Sequence, residues 1–182
     1  MKIKKVLVAN RGEIAIRIIR ACHELGIKAV AVYAHEDEYG VHRFKADEAY
    51  EIGHDKKPIE AYLDMDAIID VAKKTGADAI HPGYGFLAEN EEFAQKCADA
   101  GIIFIGPTVK QLQIFGDKIE AKIAAKNAGL KTIPGTKEPV KSLDEIEQFG
   151  KKHGYPIMLK AAMGGGGRGM RIVHKSEDLK EA

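Results

Sequence analysis

The sequence has almost no net charge: across 182 residues, 28 Lys and Arg stand against 27 Asp and Glu, leaving +1. That balance, with no long basic run, excludes a nucleic-acid binder working through bulk positive potential. No stretch approaches the roughly 20 apolar residues of a membrane helix, and the short apolar run after Lys5 leads to no signal-peptide cleavage pattern. No membrane association is expected. Cysteine is nearly absent. Cys22 and Cys97 fall in separate predicted helices without CxxC spacing, which points to buried reduced thiols in a cytoplasmic protein, not to a disulfide or a zinc site. Histidines at metal-ligand spacing, a Ser/His/Asp pattern, internal repeats and low-complexity linkers are all missing. Glycine is the one excess: 19 residues, about 10% against an average near 7%. Where those glycines sit decides the rest.

The first part of the chain alternates apolar runs with helical periods. Lys5–Ala9 and Ala29–Tyr33 are short, nearly continuous apolar runs of the kind buried on both faces of a sheet. Between them Ile14, Ile18, Cys22 and Leu25 recur at helical spacing, and Gly26 stops the helix. A polar loop is expected from His35 to about Lys45, then a short strand near Tyr50–Ile52. Asp64 caps a helix carrying Ile68, Ile69 and Ala72 and ending at Gly76. Ala79–His81 is the next strand. Asn90 caps a helix with Phe93, Cys97 and Ala98 inward, and Ile102–Ile105 is a further strand. Alternating strands and helices with short connections predict an α/β fold, a doubly wound parallel sheet covered on both faces.

The rhythm changes after Gly106-Pro107. Thr108 caps a short helix that Gly116 breaks. Asp117 with Glu120, and Ser142 with Glu145, read as capping boxes opening two further helices. Pro156–Lys160 and Met170–Val173 are strands flanking a glycine run, and Ser176 starts a last helix. A domain boundary is therefore expected at residue 116, with 1–116 and 117–182 as the two parts. A helix opening so near the last residue suggests a fragment of something longer.

The glycine run carries the clearest chemistry. Gly164, Gly165, Gly166, Gly167, Arg168 and Gly169 satisfy G-x-G-x-x-G in form, but a dinucleotide fingerprint needs a helix after it and here a strand follows. The P-loop pattern fails as well, since no G-K-[ST] is present. What remains is a flap between two strands, able to lay backbone N–H groups on phosphate oxygens where a Cβ would clash. Lys160, at the end of an apolar run just before the flap, fits an ammonium held over polyphosphate; the plainer alternative is a lysine snorkelling from a strand end. Lys118 sits in the first turn of its helix, against the dipole, where either Asp117 or a bound anion compensates it. Two loops lie at carboxyl ends of strands, where open α/β sheets bind ligands. Asn10–Glu13 reads mainly as a packing turn. His81–Asn90, with His81, Tyr84 and Glu89, is a candidate site lining.

Val8–Ala15 (VANRGEIA), His81–Phe86 (HPGYGF), Phe104–Pro107 (FIGP), Gly116–Lys118 (GDK) and Met163–Met170 (MGGGGRGM) occur in this order in biotin carboxylases. The sequence resembles that family over its whole length. His42–Tyr50 and Ala61–Leu63 resemble the pyruvate carboxylase branch more than the biotin carboxylase subunit of acetyl-CoA carboxylase. The resemblance implies a Rossmann-like (pre-ATP-grasp) domain followed by the start of an ATP-grasp domain with a glycine lid. It implies ATP, bicarbonate, Mg2+ (or Mn2+), and biotin on a biotinyl carrier domain, with carboxyphosphate as the activated species, and a homo-oligomer when intact. Residue by residue, Lys118 and Lys160 would contact ATP phosphates. Gly164, Gly165, Gly166 and Gly167 would wrap them beside Arg168 and Gly169. Met170 would lie near adenine, and Tyr84 and Gly85 would face the biotin end. The family's metal-binding carboxylates, catalytic base and substrate arginines have no counterpart before residue 182, so no catalytic residue is expected in this stretch and it should not turn over alone. A non-catalytic nucleotide-binding module is the competing reading. An NAD-dependent oxidoreductase, with Glu36 as the ribose acid, is disfavoured by the missing glycines between Asn10 and Glu13.

Overall fold

A computed structural model describes residues 2–136, 138–160 and 169–182. The body of the expected phosphate flap, Gly164, Gly165, Gly166, Gly167 and Arg168, lies outside the described residues. The chain divides into two compact units, residues 1–117 and 118–182.

In the first unit the apolar runs form β1 (Lys5–Val8), β2 (Lys28–Tyr33), β4 (Ala79–His81) and β5 (Ile103–Phe104), with β3 (Glu48–Glu51) beyond β2. All pairings are parallel, in the order β3-β2-β1-β4-β5. Side chains alternate between the faces of a strand. Val6 and Val8 therefore join Ala15, Ile18, Ile19 and Cys22 of α1 (Gly12–Glu24) on one face. Leu7 joins Ile68 and Ala72 of α4 (Met65–Thr75) and Phe93 and Cys97 of α5 (Glu91–Asp99) on the other. Burial on both faces is why these strands read as unbroken apolar runs.

Local capping follows the sequence. Asp64 accepts from the Ala67 N–H, Asn90 from Phe93, and Thr108 from Gln111 at the start of α6 (Val109–Gly116). Both cysteines are buried free thiols. Burial raises the Cys22 thiol and pushes that of Cys97 up to about 12, so neither has thiolate character at neutral pH.

Three expectations are corrected here. Leu25, counted as the last apolar position of α1, is 74% exposed; Ala15 and Ile19 complete the buried face instead. Ala94, not Ala98, turns inward on α5. The polar loop from His35 to Lys45 is a 3-10 turn (His35–Asp37) followed by α2 (Val41–Lys45), and it buries Asp37 and His42. A further short helix, α3 (Pro58–Tyr62), follows β3.

In the second unit α7 (Lys118–Asn127) starts directly after Asp117, and α8 (Leu143–His153) is capped by Ser142. The Ser142–Glu145 box is half formed: Ser142 Oγ accepts from the Glu145 N–H, while the Glu145 carboxylate accepts from Lys141 N–H, one residue earlier than expected. Strands β6 (Ile157–Lys160) and β7 (Met170–Val173) pair antiparallel, from Ile157 opposite Val173 to Lys160 opposite Met170. The segment from Ser176 is a 3-10 turn, not an α-helix. It delivers Leu179 to the small core of Ile157 and Val173, and Ser176 Oγ donates to Glu147 at 3.2 Å.

Candidate functional site

In the first unit the chain leaves β1 toward β2 on one side, while β4 lies on the other. Such a reversal opens a crevice at the carboxyl ends of the strands. A cleft of about 400 Å³ occupies it, lined by the Asn10–Ile14 turn and the Tyr84–Phe86 turn.

Asn10 joins the two turns. It is 3% exposed, and its Nδ2 donates to the carbonyls of Pro82 (2.7 Å) and Tyr84 (2.8 Å) while its Oδ1 accepts from the Arg11 N–H (2.8 Å). All the hydrogen-bonding capacity of a buried amide has to be met somewhere, and here it ties the loop after β1 to the loop after β4. The tie requires Gly83. At φ +68°, a Cβ there would stand 2.7 Å from Asn10 Nδ2. Tyr84, 60% exposed, donates its hydroxyl to Glu13 Oε1 at 2.7 Å; that hydrogen bond raises the phenol above its ordinary value. Gly85 follows at φ +68°, then Phe86 at φ +38°.

Behind the cleft lies a second set of contacts. The Arg11 guanidinium forms a bidentate pair with Asp37, Nε to Oδ2 at 2.6 Å and Nη2 to Oδ1. The Tyr62 hydroxyl donates to Asp37 Oδ2 at 2.8 Å and accepts from the Ala34 N–H at 3.2 Å. Its ring stacks on Phe86 with centroids 5.1 Å apart. The loops after β1, β2 and β4 and the end of α3 are thereby pinned together. Burial works to raise the Asp37 carboxyl, but the hydrogen bonds from Arg11 and Tyr62 outweigh it and hold the carboxyl below its ordinary value. Burial raises the Tyr62 phenol, so it stays protonated as a donor.

Two imidazoles complete the region. His42, 1% exposed, donates Nε2–H to the Val32 carbonyl at 3.3 Å. His81 Nδ1 accepts from the Gly83 N–H at 3.0 Å, which places its proton on Nε2. Burial lowers both below 6.5, so both are neutral at pH 7. The unfolded chain binds more protons on these groups once the pH drops below that value. The stability they carry is fully present above 6.5 and is lost as the pH falls toward their folded values. Asp37 acts in the same sense further down, below 3.8. The melting midpoint should therefore drop between about pH 7.5 and about pH 5, and His42→Gln should flatten that slope; an unchanged slope would contradict the assignment.

In the second unit, Lys118 is the first residue of α7 and exposed. Lys160 and Met170 are cross-strand partners, exposed, where β6 ends and β7 begins, with Gly169 at φ +74° just before Met170. Partners directly opposite share a face with Cβ atoms about 5 Å apart. One cation and one soft apolar side chain thus stand side by side. Among the described residues no group of three or more His, Cys, Asp or Glu comes together to hold a metal ion.

A family model described as the biotin carboxylase N-terminal domain matches residues 2–112. The chain belongs to the biotin carboxylase family. A second model, the ATP binding domain of the carbamoyl-phosphate synthase L chain, matches residues 117–182, the start of the ATP-grasp region. The pyruvate carboxylase of Bacillus subtilis (strain 168) is 59% identical over 180 residues, 99% of this chain and 16% of that protein. The mitochondrial pyruvate carboxylase of Rattus norvegicus is 57% identical over 179 residues, 98% of this chain and 15% of that protein. The biotin carboxylase domain dimer of Hydrogenobacter thermophilus 2-oxoglutarate carboxylase, solved with MgADP, ADP and bicarbonate, superposes with a TM-score of 0.91 at 51% identity, over 100% of this chain and 40% of that one. A Campylobacter jejuni biotin carboxylase–βγ-ATP complex gives 0.92 at 44% identity, over 99% and 40%. This biotin carboxylase sequence thus spans 15–16% of the length of these curated relatives.

Family membership removes the oxidoreductase alternative, and the cleft agrees. Glu36 is exposed, and the buried acid at the end of β2 is Asp37, already committed to Arg11 and Tyr62. The Asn10–Glu13 turn packs as expected and lines the cleft as well. Sequence reasoning missed Asp37 altogether, and met His42 and Tyr62 only inside segments of family resemblance, without their buried roles. The segments that hold them are short and without period, so nothing in the local pattern marks these three as buried partners.

Proposed function

We propose that this chain supplies the N-terminal part of the biotin carboxylase portion of a pyruvate carboxylase. In that reading ATP and bicarbonate give carboxyphosphate, the carboxyl passes to biotin on a biotinyl carrier domain, and pyruvate receives it to give oxaloacetate. The high identity to pyruvate carboxylases and the ADP, ATP-type and bicarbonate ligands of the structural relatives support it. On this chain, the observation that carries the ATP side is Lys160 standing opposite Met170 on one face of a hairpin.

The ammonium of Lys160 then holds phosphate oxygens as a point charge, and Met170 packs against adenine. Lys118 reaches the same phosphates from the first turn of α7, where the helix dipole favours an anion. Gly164, Gly165, Gly166 and Gly167, with Arg168 and Gly169, wrap the phosphates with backbone N–H groups. Mg2+ or Mn2+, when bound, would supply neutralisation of the transferring γ-phosphoryl charge. Tyr84 and Gly85 line the biotin end of the site, the Tyr84 ring fixed by Glu13 and its carbonyl by Asn10. The same reading divides the chain into domains at residue 116, and implies a homo-oligomer and a cytoplasmic location.

The test is a chimera. This chain replaces the matching segment of the Bacillus subtilis enzyme, and bicarbonate-dependent ATP cleavage and pyruvate carboxylation are measured. Retention of both is expected. A chimera that folds and oligomerises like its parent but cleaves no ATP overturns the proposal.

A further inference from the structure

Phe86 is the one non-glycine residue with positive φ among the described residues. An L-residue is disfavoured in that region, so something must hold it there. The backbone ties nearby stop short of it. Asn10 fixes the carbonyls of Pro82 and Tyr84, and the Gly85 carbonyl accepts from the Ala88 N–H. Gly85 itself has no atom within 4 Å of where a Cβ would be. The side chain of Phe86 does reach the core, through its stack on Tyr62, with ring planes 18° apart.

Tyr62 is suited to act as an anvil. Its ring is 1% exposed, and its hydroxyl is held at two points, by Asp37 and by the Ala34 backbone. Asp37 is itself clamped by Arg11, which lines the cleft. A rigid chain of contacts therefore runs from the cleft wall through Arg11, Asp37 and Tyr62 to Phe86 and back to the cleft. No member other than Arg11 and Phe86 lines the cleft.

We propose that Tyr62, anchored by Asp37, is a positioning residue that holds the Tyr84–Gly85–Phe86 turn in its biotin-accepting shape through the ring of Phe86. This rests on the placement of biotin at that turn. Loss of the stack lets Phe86 relax to negative φ and swings the backbone of Gly85 with it. Biotin engagement weakens, and ATP engagement is untouched.

The experiment uses the chimera with free biotin and steady-state kinetics. Tyr62→Leu removes the stack and should raise the KM for biotin by up to about tenfold, the upper worth of an aromatic pair, with the KM for ATP unchanged. Tyr62→Phe keeps the ring but loses both hydroxyl anchors, and its biotin KM should fall between those of Tyr62→Leu and the parent. Phe86→Leu breaks the stack from the partly exposed side, so it reads the same effect should Tyr62→Leu fail to fold. Gly85→Val perturbs the turn directly and separates the two layers of the argument. If Gly85→Val raises the biotin KM and both Tyr62→Leu and Phe86→Leu leave it unchanged, the positioning role is wrong and biotin still binds at the turn. If none of the three raises it, the placement of biotin falls, and this proposal with it. Equal rises in the biotin and ATP KM values would show a general structural role and overturn the proposal as well.

Discussion

Lys160→Met in the chimera should lower bicarbonate-dependent ATP cleavage by about ten- to hundredfold, the worth of roughly 1.5–3 kcal/mol in one charge-assisted contact to phosphate. The fold should be unaffected. Lys160 is exposed at the end of β6 and contributes its backbone to the ladder opposite Met170, which any side chain permits. Methionine keeps the unbranched apolar stem and removes only the charge. Lys118→Met should lose less, because the dipole at the start of α7 still favours an anion there. The measurement is ATP cleavage beside thermal melting for both variants. Full cleavage by Lys160→Met, with normal melting, would leave Lys160 as a solvated strand end and remove the charge argument.

Gly53→Ala should be the most damaging single-methyl change in the first unit. A Cβ at this position would lie 2.5 Å from Ala61 Cβ and 2.8 Å from Ala61 Cα, and the backbone is at φ +64°. Ala61 is fully buried, and the clash is with the body of α3, not the far end of a flexible side chain. The left-handed conformation costs about 1–2 kcal/mol and overpacking about 1–3 more, so a total near 2–5 kcal/mol is expected. For a unit of this size that corresponds to a fall in Tm of about 10 °C or more. Gly101→Ala is the control. Its φ is +70°, yet nothing lies within 4 Å of the added Cβ, so only the backbone cost applies. Equal losses for the two would show that close approach of α3 to the end of β3 contributes nothing.

Gly53 also bears on the cleft. A shift of α3 carries Tyr62 away from Asp37 and Phe86, so Gly53→Ala should disturb the Tyr84–Phe86 turn from behind as well as destabilise the unit. Through these contacts, a glycine outside the residues that line the cleft helps to set its shape.

What could be read along the chain was whatever is decided within a few residues. Asp64, Asn90, Thr108 and Ser142 cap their helices because a side-chain oxygen three residues before an N–H meets it through local geometry alone. The parallel sheet was legible because strands buried on both faces must be apolar throughout. The glycine flap and Lys160 stood out because their composition is anomalous where they stand. The two turns that line the cleft were legible as loops at strand ends; the contacts that tie them together were not, because they join distant residues. Asn10 meets Pro82 across 72 positions, Arg11 meets Asp37 across 26, and Tyr62 meets Asp37 across 25. Asp37 and His42 sit in a run that reads as solvated loop, and they are buried only because β2, β3 and α3 converge on them. A buried acid needs a partner to balance its desolvation. The sequence holds many arginines and tyrosines, and only the tertiary structure selects Arg11 and Tyr62 by bringing the ends of separate strands to one edge of the sheet.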